Sequence, residues 1–463
     1  MLFNTAQFFL FLAVVLVLFY TFPHRWRRVL LLAASYWFYM SWNAKFLLLL
    51  LTLTAIDYTA GLWIARSEGR RRKLLLILSL ASNLGFLGVF KYYNFLADNL
   101  VALLGMAPHS LFLDIVLPLG ISFHTFQSMS YVVDVYRREQ AAITNPIDYA
   151  LFIAFFPQLV AGPIVRAREF FGDLFNWKPP SGEEVLRGSL LILLGLTKKM
   201  ALADQFALIS DAYFKNVAGN PGMLTAWSGV FSFAMQIYFD FSGYTDMAIG
   251  MAQVLGFHFP VNFRRPYLSV SITDFWRRWH ISLSRWLRDY LYISLGGNRH
   301  GVYITYRNLM LTMLLGGLWH GASWNFVIWG GFHGGLLCLE RALLGSRAAS
   351  RGSAWLYPLR AMITFILVSI GWVFFRAATL GDSIHVIGQM FSGSPGTLLC
   401  QSWHLWLVGI TLVVALCEEN LEWFERLPTA PAWAYVSAVV VMLLCLEMIG
   451  VTDVSIPFVY FQF

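Results

Sequence analysis

A histidine inside an apolar run is the first residue of this sequence equipped for chemistry. Residues 309–336 read LMLTMLLGGLWHGASWNFVIWGGFHGGL, with His320 between Trp319 and Gly321 and a second tryptophan, Trp324, close by. Ionisable groups at membrane depth are costly and usually face a cavity or a protein partner. A neutral imidazole there can take a proton from a hydroxyl. The plainer reading is an interhelical hydrogen bond, which Ser or Asn would supply as well. Two features favour chemistry over it. Two tryptophans flank His320, and Gly316, Gly317, Gly321, Gly330 and Gly331 open space around it or break the helix. No carboxylate or Cys nearby completes a metal site. His333, thirteen residues on, reads as structural.

A second histidine, His280, sits in SITDFWRRWHISLSRWLRDYLYIS, residues 271–294. Ser271 followed by Asp274 is a helix-start signal. Arg277, Arg278, Arg285 and Arg288 are too many charges for a buried span, and Trp276, Trp279, Trp286 and Leu287 are too apolar for a soluble surface helix. The segment reads as a helix at the membrane boundary. Spacing by four puts Trp276, His280 and Ser284 on one helical face and lets Arg285 pair with Asp289. Two roles stay open: an anchor whose arginines meet lipid phosphates, or the wall of a pocket whose arginines hold a phosphorylated donor.

Further polar residues interrupt the apolar background. Residues 238–246, YFDFSGYTD, carry Asp240 and Asp246, and a buried carboxylate needs a partner. Residues 120–127, GISFHTFQ, hold another histidine, His124. Asn262 to Tyr267 marks an interfacial loop. No serine nucleophile elbow, phosphate loop or dinucleotide fingerprint is present.

The elements that must position these groups are membrane helices. Of 463 residues, 58% are hydrophobic and 13% charged, against about 25% charged in soluble domains. A span takes about 20 apolar residues. Candidates cover 7–22, 29–43, 46–65, 73–91, 111–135, 148–163, 187–210, 225–255, 303–318, 322–344, 355–375, 403–418 and 432–451. Several are short or broken by Gly and Pro, which predicts about eleven spans plus one or two segments that enter without crossing. The stretches 176–186 and 345–353 read as loops. The first apolar segment lacks a basic start and a small-residue cleavage site, so it reads as a retained span. Basic clusters at Arg25, Arg27 and Arg28, at Arg66 and Arg70–Lys73, and at Arg137 and Arg138 fall on alternate loops. The positive-inside rule then places the N-terminus on the non-cytoplasmic side. The net charge of +8 is dispersed in these loops, which excludes a nucleic-acid surface and suits anionic lipid. The four cysteines have no metal or disulfide spacing. One undivided domain, residues 1–463, is expected.

The pairing of DFWRRWHISLSRWLRDYLYISLGGNR (274–299) with LLGGLWHGASW (314–324) resembles the membrane-bound O-acyltransferase superfamily, within it the bacterial alginate O-acetyltransferase-like branch. LGISFHTFQSMSYVVDVYR (119–137), FPQLVAGPIVR (156–166), YFDFSGYTDMAIG (238–250), GWVFFRA (371–377) and FVYFQF (458–463) extend the likeness over nearly the whole chain. The resemblance implies an all-α polytopic fold around a central funnel and tunnel. His320 matches the family's intramembrane histidine and His280 its second histidine. Trp276, Arg277, Arg278, Ser284, Arg288, Asp289, Asn298, Tyr238, Asp240, Trp319 and Trp324 become donor-binding or supporting candidates. The resemblance further implies a bacterial inner-membrane enzyme with no bound cofactor, a cytoplasmic acetyl-CoA as co-substrate and periplasmic partner proteins acting on a polysaccharide such as alginate or cellulose. A carrier-protein thioester, as in D-alanylation, is the alternative donor. A transporter or a scaffolding subunit of a secretion complex are the rival classes, and the first predicts internal repeats that the chain lacks.

Overall fold

The computed structural model describes residues 1–160, 162–345, 354–454 and 456–461, and these contain helices, turns and loops but no strand. The expected loop at 345–353 lies almost wholly outside them. Contacts cluster into two compact units, residues 1–181 with 247–260, and residues 182–246 with 261–463.

The first unit holds α1 (Ala6–Thr21), α2 (His24–Asn43), α3 (Phe46–Ala65), α4 (Gly69–Leu87), α5 (Tyr93–Leu103), α6 (Ile121–Arg137), α7 (Pro146–Ala154), α8 (Phe156–Leu159) and α9 (Ala167–Phe175). A wider turn over Gly88–Tyr92 joins α4 to α5 without a break. The span expected at 111–135 is corrected: the chain is non-helical up to Gly120, and α6 starts only at Ile121. Pro118 and the left-handed Gly120 (φ 72°) deny the earlier residues a helix. The span expected at 148–163 is shortened in the same way, because the helix breaks between Ala154 and Phe156, ahead of Pro157.

The second unit holds α10 (Gly182–Thr197), α11 (Asp204–Lys215), α12 (Met223–Val254, whose last turns fall in the first unit), α13 (Ile272–Arg278), α14 (Ile281–Trp286), α15 (Val302–His320), α16 (Trp324–Leu344), α17 (Tyr357–Arg376), α18 (Leu380–Met390), α19 (Ser402–Leu421), α20 (Trp423–Arg426) and α21 (Ala432–Ile449). A wider turn, Lys198–Ala203, joins α10 to α11. Loosening the helix there puts Lys199 beside two carboxylates, Asp204 at 2.6 Å and Asp240 at 2.9 Å.

Among the described residues five helical stretches are long and apolar enough to cross a membrane: Phe46–Ala65, Gly69–Leu103, Tyr357–Arg376, Ser402–Leu421 and Ala432–Ile449. Other expected spans coincide with helices that are shorter, such as α1, or that bury polar side chains, such as α12 with Ser228, Ser232 and Gln236. Helix α21 leaves Val436, Val440, Val441, Leu443 and Leu444 on its outside, the outward-facing apolar surface of a helix solvated by lipid.

Candidate functional site

The site builds from a helical hairpin in the second unit. Helices α15 and α16 lie so close that a β-carbon at Gly317 would overlap the Phe326 carbonyl oxygen, and one at Gly330 would overlap that of Met313. Backbone-to-backbone contact of this kind needs glycine. The hairpin turns at Gly321–Ser323, directly after His320, so His320 is the last residue of α15. Its imidazole is buried, with ring centroids of Trp319, Trp329, Phe375 and Tyr460 at 5.0, 5.1, 5.2 and 5.7 Å.

His280 reaches the same cluster by another route. The helix expected to run unbroken through 271–294 is corrected: α13 ends at Arg278, and α14 starts at Ile281. Between them His280 takes a left-handed conformation (φ 42°, ψ 56°), a strain of about 1–3 kcal/mol for a residue with a β-carbon. The loop before α13 holds the kink. The Ile281 N–H donates to the Asn262 carbonyl at 2.9 Å, and the Ser282 N–H and hydroxyl both donate to the Asn262 side chain. The Arg264 N–H donates to the Arg278 carbonyl. Trp276, His280 and Ser284 therefore do not share a helical face. His280 turns inward, completely buried, with Phe241 at 4.7 Å and Trp319 at 6.2 Å, while Ser284 bonds back to the Trp279 carbonyl.

Five rings close a circuit: His280, Trp319, His320, Tyr460 and Phe241, the last two 4.3 Å apart. Trp329 extends it, standing edge-on to His320 and to His333, the latter at 4.9 Å. The Trp276 ring packs 5.2 Å from His333 on the far side. The indole N–H groups of Trp276 and Trp329, both nitrogens of His333 and the Tyr460 hydroxyl are buried and make no hydrogen bond among the described residues. Buried polar groups without partners are uncommon. This donor and acceptor capacity near His320 suits a site for a polar ligand.

The remaining candidates divide by what holds them. The Ser271 hydroxyl accepts the Asp274 N–H at 3.1 Å, the cap the sequence announces. Glu340 accepts from the Ile272 and Thr273 N–H groups, fastening α13 to α16. Arg278 is engaged by Asp274 at 3.0 Å and Glu419 at 3.1 Å. Burial pulls its pKa down, and the two carboxylates outweigh that and hold it above the ordinary value. Arg277 and Arg288 are exposed, and Arg288 forks onto Asp289 at 2.7 and 3.2 Å. Asn298 lies in an exposed turn. Asp240 is buried against Lys199 and accepts the Val459 N–H at 2.6 Å, so it anchors the segment that carries Tyr460. Tyr238 packs on Tyr267 at 5.3 Å, one layer out from the histidines. Trp324 is corrected as a flank of His320. The turn after Gly321 carries it to the surface, 55% exposed, and Trp329 fills the flanking place.

Sequence reasoning passed over Trp329, Phe375, Tyr460 and Lys199. Lys199 carried a legible signal, a cation in an apolar run preceding a buried-looking Asp240. The three rings carried none, because aromatic residues abound throughout this chain.

With this geometry in hand, relatives identify the chain. Residues 31–380 match the profile of the MBOAT, membrane-bound O-acyltransferase family. The chain is 49% identical to the probable alginate O-acetylase of Pseudomonas aeruginosa, over 85% of this chain and 75% of that protein. It is 40% identical to the peptidoglycan O-acetyltransferase of Helicobacter pylori, over 82% and 75%. It is 29% identical to the teichoic acid D-alanyltransferase of Bacillus subtilis, over 56% and 68%. The chain belongs to the membrane-bound O-acyltransferase family and is a multi-pass membrane O-acyltransferase.

Proposed function

We propose that this enzyme moves an acetyl group from a cytoplasmic thioester, acetyl-CoA, to a hydroxyl of an exported polysaccharide, with His320 as general base. The observation that carries the reading is the buried imidazole of His320, walled by aromatic rings and joined to His280 through Trp319. The acceptor hydroxyl gives its proton to the His320 imidazole as its oxygen attacks the thioester carbonyl. The carbon–sulfur bond breaks, the imidazolium returns the proton to the departing sulfur, and an O-acetyl ester and a free thiol result. His280, fixed by its kink, positions the thioester or steadies the charge on the carbonyl oxygen. Proton transfer by a placed imidazole contributes on the order of 10²–10⁴-fold in rate. A direct transfer of this kind leaves no acetylated His320 when donor alone is supplied.

The relatives named for alginate and peptidoglycan O-acetylation support a carbohydrate acceptor, and in our reading periplasmic partner proteins handle it. Family membership supports about eleven spans around a funnel and tunnel. The alternating basic loops support an inner-membrane orientation with the N-terminus on the non-cytoplasmic side.

The test is acetyl transfer in vesicles whose protein has its cytoplasmic face outward, with radiolabelled acetyl-CoA outside and the acceptor partner inside. Label reaching the acceptor with wild type and not with His320→Ala supports the reading. Equal transfer by both removes His320 from the chemistry. Transfer from a carrier-protein thioester but not from acetyl-CoA replaces the donor.

A further inference from the structure

The first unit contains a cavity that the histidine site does not use. The turn between α3 and α4 and the C-terminal end of α6 border an open cavity of about 430 Å³, lined among others by Arg66, Ser67, Glu68, Arg72, Val135 and Arg138. Arg72 organises it. Its side chain is more than nine-tenths buried, and one terminal nitrogen donates to the Val135 and Tyr136 carbonyls at 2.9 and 2.8 Å. Those carbonyls belong to the last turn of α6, where Val135 also accepts the Arg138 N–H at 3.1 Å. The bonds fix the plane of the guanidinium. Its Nε is buried and makes no hydrogen bond among the described residues. A buried N–H without an acceptor is costly, and a ligand that accepts from it removes the cost.

The remaining charge points the same way. Arg66 and Arg138 also line the cavity, and Glu68 is the one acidic residue among those that line it. Glu68 is largely in solvent, 3.9 Å from Arg138, so the cavity keeps a positive excess. Glu68 is also the N-cap of α4 and offers that helix no side-chain cap, leaving the positive end of a 19-residue helix at the cavity's edge.

We propose that this cavity is a binding site for a phosphate-bearing anion, held by the free Nε–H of Arg72 together with Arg66 and Arg138. Planar guanidinium groups match phosphate oxygens two at a time. The volume is in the range of a ligand pocket, roughly 300–1,000 Å³, and so takes a phosphate ester together with the group it carries. The phosphate comes either from an anionic lipid headgroup at the membrane surface or from a soluble phosphate compound.

The test uses the full-length protein in neutral detergent and native mass spectrometry. Dioctanoyl phosphatidylglycerol and inorganic pyrophosphate are the two probes, and dioctanoyl phosphatidylcholine is the neutral control. The Arg66→Gln/Arg138→Gln double variant keeps the Arg72 bonds to α6, and its unliganded melting temperature checks that it folds. If it does not, Arg66→Gln alone replaces it. Wild type is expected to retain one equivalent of phosphatidylglycerol or pyrophosphate in preference to phosphatidylcholine, and the variant to bind it about tenfold more weakly or worse, as removing arginines from a lipid-binding surface does. Phosphatidylglycerol that pyrophosphate fails to displace identifies a lipid site, and tight pyrophosphate binding that displaces the lipid identifies a soluble phosphate compound. Binding of neither probe by wild type, or equal binding by wild type and variant, overturns the proposal.

Discussion

Each unit buries a polar cluster, and the two are built in opposite ways. In the first unit, Asp57 on α3 accepts from the Ser79 hydroxyl at 2.7 Å and from the Asn83 amide at 2.8 and 2.9 Å, both on α4. The carboxylate takes three hydrogen bonds from two side chains of α4, and the arrangement ties two helices together. In the second unit the buried imidazoles of His280, His320 and His333 are walled by aromatic rings instead. A carboxylate held by donors of the neighbouring helix fixes a structure. Around His333, whose two ring nitrogens are buried and make no hydrogen bond among the described residues, the rings leave polar capacity. Burial and polarity alone, which is what a sequence displays, do not separate the two cases.

Substitutions sharpen that contrast. The largest effect is expected from His320→Ala, which should lower acetyl transfer by roughly 10²–10⁴-fold while the melting temperature in detergent stays near wild type. A variant that melts early would move His320 into the structural class with Asp57. Next is Trp329→Ala: truncating this fully buried ring should cost about 3–5 kcal/mol of stability, read by denaturant or thermal unfolding. Lys199→Met should cost a similar ~3–5 kcal/mol, because Asp204 and Asp240 would remain buried without their cation. It should also loosen the segment held through Val459, visible as faster hydrogen exchange at residues 456–461. Asp57→Ala should cost about 1–3 kcal/mol by stranding Ser79 and Asn83, with transfer per folded molecule unchanged. Lost transfer in a folded Asp57→Ala protein would erase the distinction between the clusters. The smallest effect is reserved for Trp324→Ala, within about 0.5 kcal/mol at a surface position.

The sequence made much of this visible, and its omissions have physical causes. Apolar run length placed α3, α17, α19 and α21 within a few residues, since a span is recognised by composition alone. The cap at Ser271 and Asp274 was legible because it is local. The kink at His280 was not, since the Asn262 side chain that holds it lies eighteen residues earlier and only the fold brings the two together. Trp324 and Trp329 look equally good as neighbours of His320 along the chain. The turn at Gly321–Ser323 decides between them, and its direction depends on how α16 packs against α15. The ring of Tyr460, 140 residues beyond His320, packs against it where Asp240 holds the neighbouring Val459 backbone, a meeting that only the fold brings about.

The glycine contacts between α15 and α16 bear on how such an enzyme can change its substrate. Neither Gly317 nor Gly330 tolerates a side chain without forcing the helices apart, so the hairpin is a fixed point from which the imidazole of His320 hangs. Evolution, or an engineer seeking a longer acyl chain, has no adjustable dimension there. Room has to come from the rings around the two histidines, where Phe241 and Phe375 are side chains that can be traded for smaller ones without moving a backbone. Chain-length preference in this protein should therefore drift through those positions while the hairpin stays constant.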